Sequence, residues 1–192
     1  MEPRLVTDRL ALVALRREDA AEMVHVLADP GLYAFIGGEP PTLDKLEVQY
    51  RGWVAGSPRP GDTWHNWVVR LRGDGGDGPA IGHLQATVIG DDRVADIAWL
   101  IGSAWQGCGY ASEAARALVR WLEASGVASV TAHVHPAHAA SGRVAARAGL
   151  RPTSETEAGE VVWRRSASRG GRGQAPRARD ATMSFPARIE RG

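Results

Sequence analysis

A mixed α/β fold, with helices and strands sharing a single sheet, is what this sequence predicts, and three observations predict it. Short apolar runs bounded by turn residues alternate with stretches whose apolar residues recur at helical spacing. Three strand-like runs follow one another in the middle of the chain, as in an antiparallel meander. The last of them leads through a glycine-punctuated turn into a helix, the usual α/β connection. With 192 residues, 44% of them apolar, the chain has about one domain's length and enough material for a core.

The first strand is read from Leu10 to Leu15, where Leu10, Leu12 and Ala14 alternate with the equally apolar Ala11, Val13 and Leu15, as a strand buried on both faces requires. Asp19 to Ala28 reads as a helix with Ala20, Val24 and Leu27 inward, stopped at Asp29-Pro30. A second helix starts at Thr42, a favourable N-cap, carries the stripe Leu46, Tyr50, Trp53 and Val54, and ends at Gly56-Ser57-Pro58-Arg59-Pro60-Gly61. The meander comprises Trp64–Leu71, Ala80–Ile89 and Arg93–Ile101, separated by Gly73–Pro79 and by Gly90-Asp91-Asp92. Tyr110–Ala124 then sets Ala111, Ala114, Ala115, Leu118 and Leu122 on one helical face. Ser125-Gly126 ends that helix, Val127–Val134 forms a strand, Ala139–Ala148 a last helix capped by Gly149, and Val161–Arg165 closes the sheet. The order is β-α-α-β-β-β-α-β-α-β. A doubly wound dehydrogenase would not place a three-strand meander ahead of its phosphate turn.

Charge divides the chain in two. Residues 1–165 carry 17 basic and 20 acidic residues, net −3, whereas 166–192 carry six arginines against Asp180 and Glu190, net +4. The body reads as one domain over 1–165. The Arg/Gly-rich stretch 166–192 reads as a flexible, solvated tail, or as one docked through Met183, Phe185 and Ile189. With Phe185 its only aromatic, the tail lacks the interleaved stacking residues of an RNA-binding arm, so no nucleic-acid partner is expected. No apolar run approaches the ~18 residues of a membrane span, and Met1-Glu2-Pro3-Arg4 lacks a signal peptide's apolar stretch. A single cysteine, Cys108, excludes an internal disulfide and a Cys-rich metal site, and makes a reducing cytoplasm the expected compartment.

The chemistry concentrates between Asp96 and Ala114. Gly107 and Gly109 remove side chains that would keep a ligand off the backbone. The helix that follows leaves its first N–H groups unpaired and partly positive, a ready site for phosphate. Two common phosphate loops are excluded. A P-loop ends in Gly-Lys-Ser/Thr, but Tyr110 and Ala111 follow Gly109; a dinucleotide fingerprint wants a third glycine where Ser112 stands, and an acid in Val127–Ala137, which has none.

The motif present is Gln106-Gly107-Cys108-Gly109-Tyr110-Ala111. It resembles the Gln/Arg-x-x-Gly-x-Gly/Ala coenzyme A loop of the GCN5-related N-acetyltransferases, the GNAT family. Downstream, His135-Pro136-Ala137-His138-Ala139-Ala140-Ser141 through Ala148-Gly149-Leu150 resembles that family's second signature, His-Pro-x-Asn-x-x-Ser ending in Leu-Gly-Phe. Upstream, Thr7-Asp8-Arg9-Leu10-Ala11-Leu12 is similar to the opening of the RimJ/RimL-like ribosomal-protein N-acetyltransferases. The three matches spread over residues 5–165.

The resemblance implies a GNAT-like fold whose central strands splay, acetyl-CoA as donor, and a primary amine as acceptor. It places the pantetheine arm along Trp99, Leu100 and Ile101, and the phosphates on Gln106, Gly107, Cys108, Gly109, Tyr110, Ala111 and Ser112, with His138 and Ser141 completing the coenzyme site. Attack on a thioester needs a neutral amine, a donor for the oxyanion and a proton or hydrogen bond for the leaving thiolate. Asp96 stands where the branch has Glu or Asp and is the candidate base. The oxyanion is expected to meet a backbone N–H near Leu100 or Ile101. The tyrosine that many members use as acid falls at Ala145, so Ser141 is the candidate in its place, as donor to sulfur or as a positioning group. His138 stands where the family has Asn, a departure at one coenzyme contact.

His133, His135 and His138 invite a metal reading, but only His133 and His135 share one face of a strand, the third and fourth ligands that zinc wants are not visible nearby, and no metal is expected. Acceptor contacts are expected from Tyr33 and Glu39 in the segment Tyr33–Pro41, where Phe35 reads as loop packing, and from a loop over Thr153–Glu160. An acidic body favours a cationic acceptor. The alternative is a non-catalytic acyl-CoA-binding or interaction module; a second copy of the chain, as a homodimer, remains an open partner.

Overall fold

The computed structural model describes residues 2–73, 75–90 and 93–166; of the tail read at 166–192 only Ser166, the last residue of a strand, is described, and 167–192 and the turn residues Asp91 and Asp92 lie outside the described residues. Among the described residues eight strands form one sheet. In chain order they are β1 (Leu5–Val6), β2 (Leu10–Ala14), β3 (Thr63–Gly73), β4 (Gly76–Ile89), β5 (Val94–Ile101), β6 (Ser129–Val134), β7 (Arg151–Glu157) and β8 (Glu160–Ser166). Their spatial order is β1-β2-β3-β4-β5-β6-β8-β7. Every neighbouring pair is antiparallel except β5 and β6, which run parallel.

Among the described residues four α-helices cover the two faces: α1 (Ala20–Val26), α2 (Leu43–Ala55), α3 (Tyr110–Ala124) and α4 (Ala139–Arg147). On one face Ala114, Ala115, Leu118, Val119 and Leu122 of α3 and Ala145 of α4 pack against Leu84, Ala95, Ile97, Val130, Ala132 and Val134 of the sheet. Alanines at 114 and 115 let α3 lie close to the strands, and the larger residues one and two turns on fill the widening gap. On the other face Ala20, Met23 and Val26 of α1 and Leu46, Tyr50 and Trp53 of α2 pack over Val68 and Ala80. Between these layers β2 buries Leu10, Ala11 and Leu12 in succession, the two-faced burial its apolar run predicts.

Helix ends follow their sequence signals. The Thr42 hydroxyl accepts the Lys45 N–H at 3.4 Å, and Gly56, at φ 92°, stops α2. Val54 leaves the expected stripe and is 58% exposed, because it stands one residue, or ~100° of helical rotation, beyond the buried Trp53.

Three strand expectations need correction. The short β1, which pairs Leu5 with Leu12, is an addition at the sheet edge. The turn expected over Gly73–Pro79 is tighter, since β4 begins at Gly76; register shifts at Arg70 let the strand absorb Pro79, which cannot donate to a ladder. Thr153–Glu160, expected as a loop, is mostly β7 and its hairpin into β8, with Ala158 and Gly159 at positive φ in the turn. The strand escaped notice because Arg151–Glu157 sits on the sheet edge with hardly any burial, so no apolar alternation marks it.

The feature that positions the site is a split in the sheet. β5 and β6 pair only through Val94–Ser129, Ala95–Val130 and Asp96–Thr131. Beyond Asp96 they part, and residues 97–101 have no strand partner on that side among the described residues, while their other side stays bonded to β4. The central strands splay as expected. Tight seating against β4 depends on Gly82, where a Cβ would lie 2.2 Å from the Leu100 carbonyl oxygen.

Candidate active site

At the far end of β5 the chain turns through Ser103–Trp105 and the two glycines into α3. Gly107 and Gly109 hold φ of 78° and 82°, backbone that a side chain disfavours, and nothing lies within 4 Å of where a Gly107 Cβ would stand. Among the described residues no side chain caps α3, and its first internal bond joins the Glu113 N–H to the Gly109 carbonyl at 3.1 Å. The N–H groups of Tyr110, Ala111 and Ser112 are thus left at an uncapped, partly positive helix end beside an open glycine turn. That arrangement fits a diphosphate. Ser112 itself is buried at 4% exposure, so its side chain packs and its backbone is what the turn offers. The Gln106 amide donates to the Ile101 carbonyl at 3.0 Å, bracing the turn against the end of β5. Cys108 is exposed and free, with its carbonyl accepting from Arg9 at 3.1 Å.

Asp96 lies at the fork, in the last β5–β6 pair. Ala95 and Ile97 face α3 and α4, as do Val130, Ala132 and Val134, so strand alternation turns Asp96, Thr131 and His133 to the opposite face. There the Thr131 hydroxyl donates to the Asp96 carboxylate at 3.1 Å, and His133 Nε2 stands 3.6 Å from the same oxygen. His133 is also 3.9 Å from a carboxylate oxygen of Glu157 at the end of β7. Burial pushes the Asp96 carboxyl up to about 6; His133 and the Thr131 hydrogen bond oppose that rise, and Glu157 and Glu160 add to it. A carboxylate poised near neutrality, reaching solvent at 21% side-chain exposure, is suited to taking a proton.

The second signature supplies the opposite wall. His138 N-caps α4 and Ser141 lies in its first turn, half-buried, with no hydrogen bond to its hydroxyl among the described residues. The hydroxyl is thus not spent on its own helix. His138 stacks on Phe35, ring centroids 4.4 Å apart and planes at 16°, and His135 stands 5.3 Å from the same ring. The segment after α1 therefore closes onto the loop before α4. Partial burial, His135 and Arg143 together hold His138 below the usual histidine range. Ala145, in the tyrosine position, is fully buried.

The two expected acceptor residues fare differently from Asp96. The Tyr33 hydroxyl donates to the Leu27 carbonyl at 3.0 Å, and burial raises its pKa, so it holds the segment's shape. Glu39 pairs with Lys45 at 3.1 Å on the open surface, its side chain 70% exposed. Neither is brought to Asp96 by any contact among the described residues. Beside Asp96 stand His133, one of the three histidines of the metal reading, and, through His133, Glu157 of the segment Thr153–Glu160; that they gather here is not legible in the sequence, because the order of strands in the sheet and not the order of the chain sets it. Arg9 stands in a motif the sequence shows, but its partner, Glu113, lies 104 positions away and nothing local pairs the two. Among the described residues no group of three or more His, Cys, Asp or Glu side chains is placed to hold a metal ion, and no helix is long and apolar enough to cross a membrane.

Known proteins show the same architecture. Solved structures similar to this chain include a GNAT-family acetyltransferase from Bacillus anthracis, TM-score 0.71 and 17% identity over 85% of this chain and 98% of that one. An acetyltransferase from Agrobacterium tumefaciens matches with TM-score 0.67 and 26% identity over 87% and 96%. AAC(6')-Ib in complex with ribostamycin and coenzyme A matches with TM-score 0.68 and 22% identity over 83% and 94%. No curated protein sequence matches the chain. The family model for the acetyltransferase (GNAT) domain matches residues 9–151, which take in the glycine turn, the fork and the second signature; the chain belongs to the GNAT acetyltransferase family.

Proposed function

We propose that this protein transfers the acetyl group of acetyl-CoA to a primary amine, by direct attack within a complex of both substrates. The observation that carries the reading is the fork after Asp96, with an unpaired strand edge over residues 97–101 leading straight to the uncapped helix end of α3. An amide-bearing pantetheine arm pairs with such an edge as a neighbouring strand would, and the diphosphate meets the N–H groups of Tyr110, Ala111 and Ser112. When bound, the thioester supplies the acetyl group. The residues of this chain supply the rest. Asp96, directly or through one water, removes the proton from the attacking ammonium group; a backbone N–H near Leu100 or Ile101 stabilises the negative charge that develops on oxygen. Ser141 hydrogen-bonds the departing sulfur.

The acceptor best supported is an amine carrying further positive charge. Glu157 and Glu160 are near enough to Asp96 to help raise its carboxyl, and the body as a whole is net acidic. AAC(6')-Ib, which shares this fold, is known in complex with ribostamycin and coenzyme A, and that supports this reading. A protein N-terminus is the second reading, favoured by the RimJ/RimL-like opening Thr7-Asp8-Arg9-Leu10. Release of free thiol from acetyl-CoA against a panel of polyamines, aminoglycosides and N-terminal peptides tests the proposal. Amine-dependent release supports it, with the charged small amines expected to be the better acceptors. Coenzyme A binding with no amine-stimulated release would instead indicate a non-catalytic acyl-CoA-binding module.

A further inference from the structure

Seven polar contacts converge where the N-terminal turn meets the first turn of α3, and none is accounted for by the chemistry above. Arg9 donates from Nε to Glu113 Oε2 at 2.7 Å, and its Nη2 is 2.6 Å from the same oxygen. The Arg9 N–H and the Thr7 hydroxyl donate to Glu113 Oε1 at 3.1 and 2.6 Å. The Leu10 N–H donates to the Thr7 hydroxyl oxygen at 3.0 Å, closing the turn that presents these groups. Arg9 Nη1 donates to the Cys108 carbonyl at 3.1 Å, and the guanidinium lies 4.7 Å from the centre of the Tyr110 ring. Glu113 is 11% exposed at its side chain, and these hydrogen bonds hold its carboxyl below the usual range despite its burial.

The geometry points to Arg9, held by Glu113, as the residue that positions the phosphate-binding turn. A trans peptide carries its C=O and its N–H on opposite sides. By holding the Cys108 carbonyl, Arg9 therefore turns the Gly109 N–H away from itself, toward the side the turn leaves open. The same contact fixes a glycine turn that φ preferences alone leave loose, since glycine visits many conformations. Arg9 also neutralises the one carboxylate in the first turn of α3, where a bare negative charge would repel a diphosphate. Both effects need a forked, planar donor: one edge for the carboxylate and one N–H for the carbonyl. Lysine, a single point of charge, can serve one of them.

This inference rests on the coenzyme reading above, and its test separates the two. Arg9→Ala, Arg9→Lys and Glu113→Gln are assayed with acetyl-CoA and with acetyl-pantetheine, which keeps the thioester but lacks the diphosphate. For Arg9→Ala the KM for acetyl-CoA rises about tenfold, as expected for one lost charge-assisted contact, while kcat, the acceptor KM and the KM for acetyl-pantetheine stay near wild type. Arg9→Lys recovers part of the loss, and Glu113→Gln weakens acetyl-CoA through the loosened guanidinium. If Arg9→Ala does not fold, the two milder variants carry the same comparison. Unchanged acetyl-CoA KM in folded variants, or an equal loss with both donors, overturns the positioning role. Wild-type protein that binds no coenzyme A overturns the coenzyme reading itself.

Discussion

Asp96 and His83 are both titratable, both sheltered, and pushed in directions that oppose each other in stability. Burial lifts the Asp96 carboxyl to about 6, above its unfolded value of about 3.9, so the folded form holds that proton more tightly. Its stabilising contribution is complete below about pH 4 and is lost as pH rises through 6, leaving a sheltered negative charge at pH 8. Asp96→Asn is therefore expected to raise the thermal midpoint at pH 8 more than at pH 4, by on the order of 2 kcal/mol of stability, while kcat falls about 100-fold or more. In the wild type, kcat/KM should climb with pH to a plateau with an apparent pKa near 6, and the variant should lose that limb. Wild-type turnover in Asp96→Asn would remove it as the base. His83 sits fully sheltered beside Trp53 on β4, and burial lowers it to about 4, below the unfolded 6.5. Here the unfolded chain binds the extra proton, so stability is full above about pH 6.5 and is lost as pH falls toward 4. His83→Gln should shrink the drop in thermal midpoint between pH 7 and pH 4. An undiminished drop would assign the acid sensitivity elsewhere.

The strand–turn–helix unit from β5 to α3 states its function in its own residues, which is why the sequence made it legible. Two glycines at positive φ, an absent N-cap side chain and Ala114, Ala115, Leu118 and Leu122 on one face are all local facts, and the structure has each of them. Gly109→Asp places bulk and charge where the anion is expected, on backbone at φ 82°. It should weaken coenzyme A binding about 100-fold or more by calorimetry, while circular dichroism and thermal melting show the fold retained. Gly109→Ala is the companion: its Cβ meets only Arg9 Nη2, at 3.6 Å, so it reports backbone strain without the charge. Equal affinity for wild type and Gly109→Asp would sink the cradle. Elements defined by what they touch were less legible. β7 has polar residues on both faces and becomes a strand only because β8 is there to pair with it. His133 meets both Asp96 and Glu157 only because β6, β8 and β7 lie beside β5 in an order the chain does not follow. Phe35 was read as loop packing, and it does pack, but on His138 of the second signature, which makes it part of the site's closure.

Over the whole molecule, the fork makes one opening serve two faces. The helix end that suits a diphosphate belongs to the α3–α4 side, and Asp96, Thr131 and His133 face the other; in the direct transfer proposed above, each substrate would then have its own approach to the fork between β5 and β6. Such a layout needs no acyl group parked on the protein. The only residue of the sequence that could tempt that reading is Cys108, an exposed thiol at the turn. Its side chain has open surface around it, while its carbonyl is what Arg9 engages, so the residue's structural contribution is made by backbone that serine supplies equally well. Cys108→Ser should accordingly keep kcat and both KM values within about twofold, a difference worth less than about half a kcal/mol. Initial rates with both substrates varied should give intersecting double-reciprocal lines, since both must be present before acetyl moves. Parallel lines, a burst of thiol equal to the enzyme concentration without acceptor, or loss of turnover in Cys108→Ser would each replace direct transfer with a covalent route through the turn.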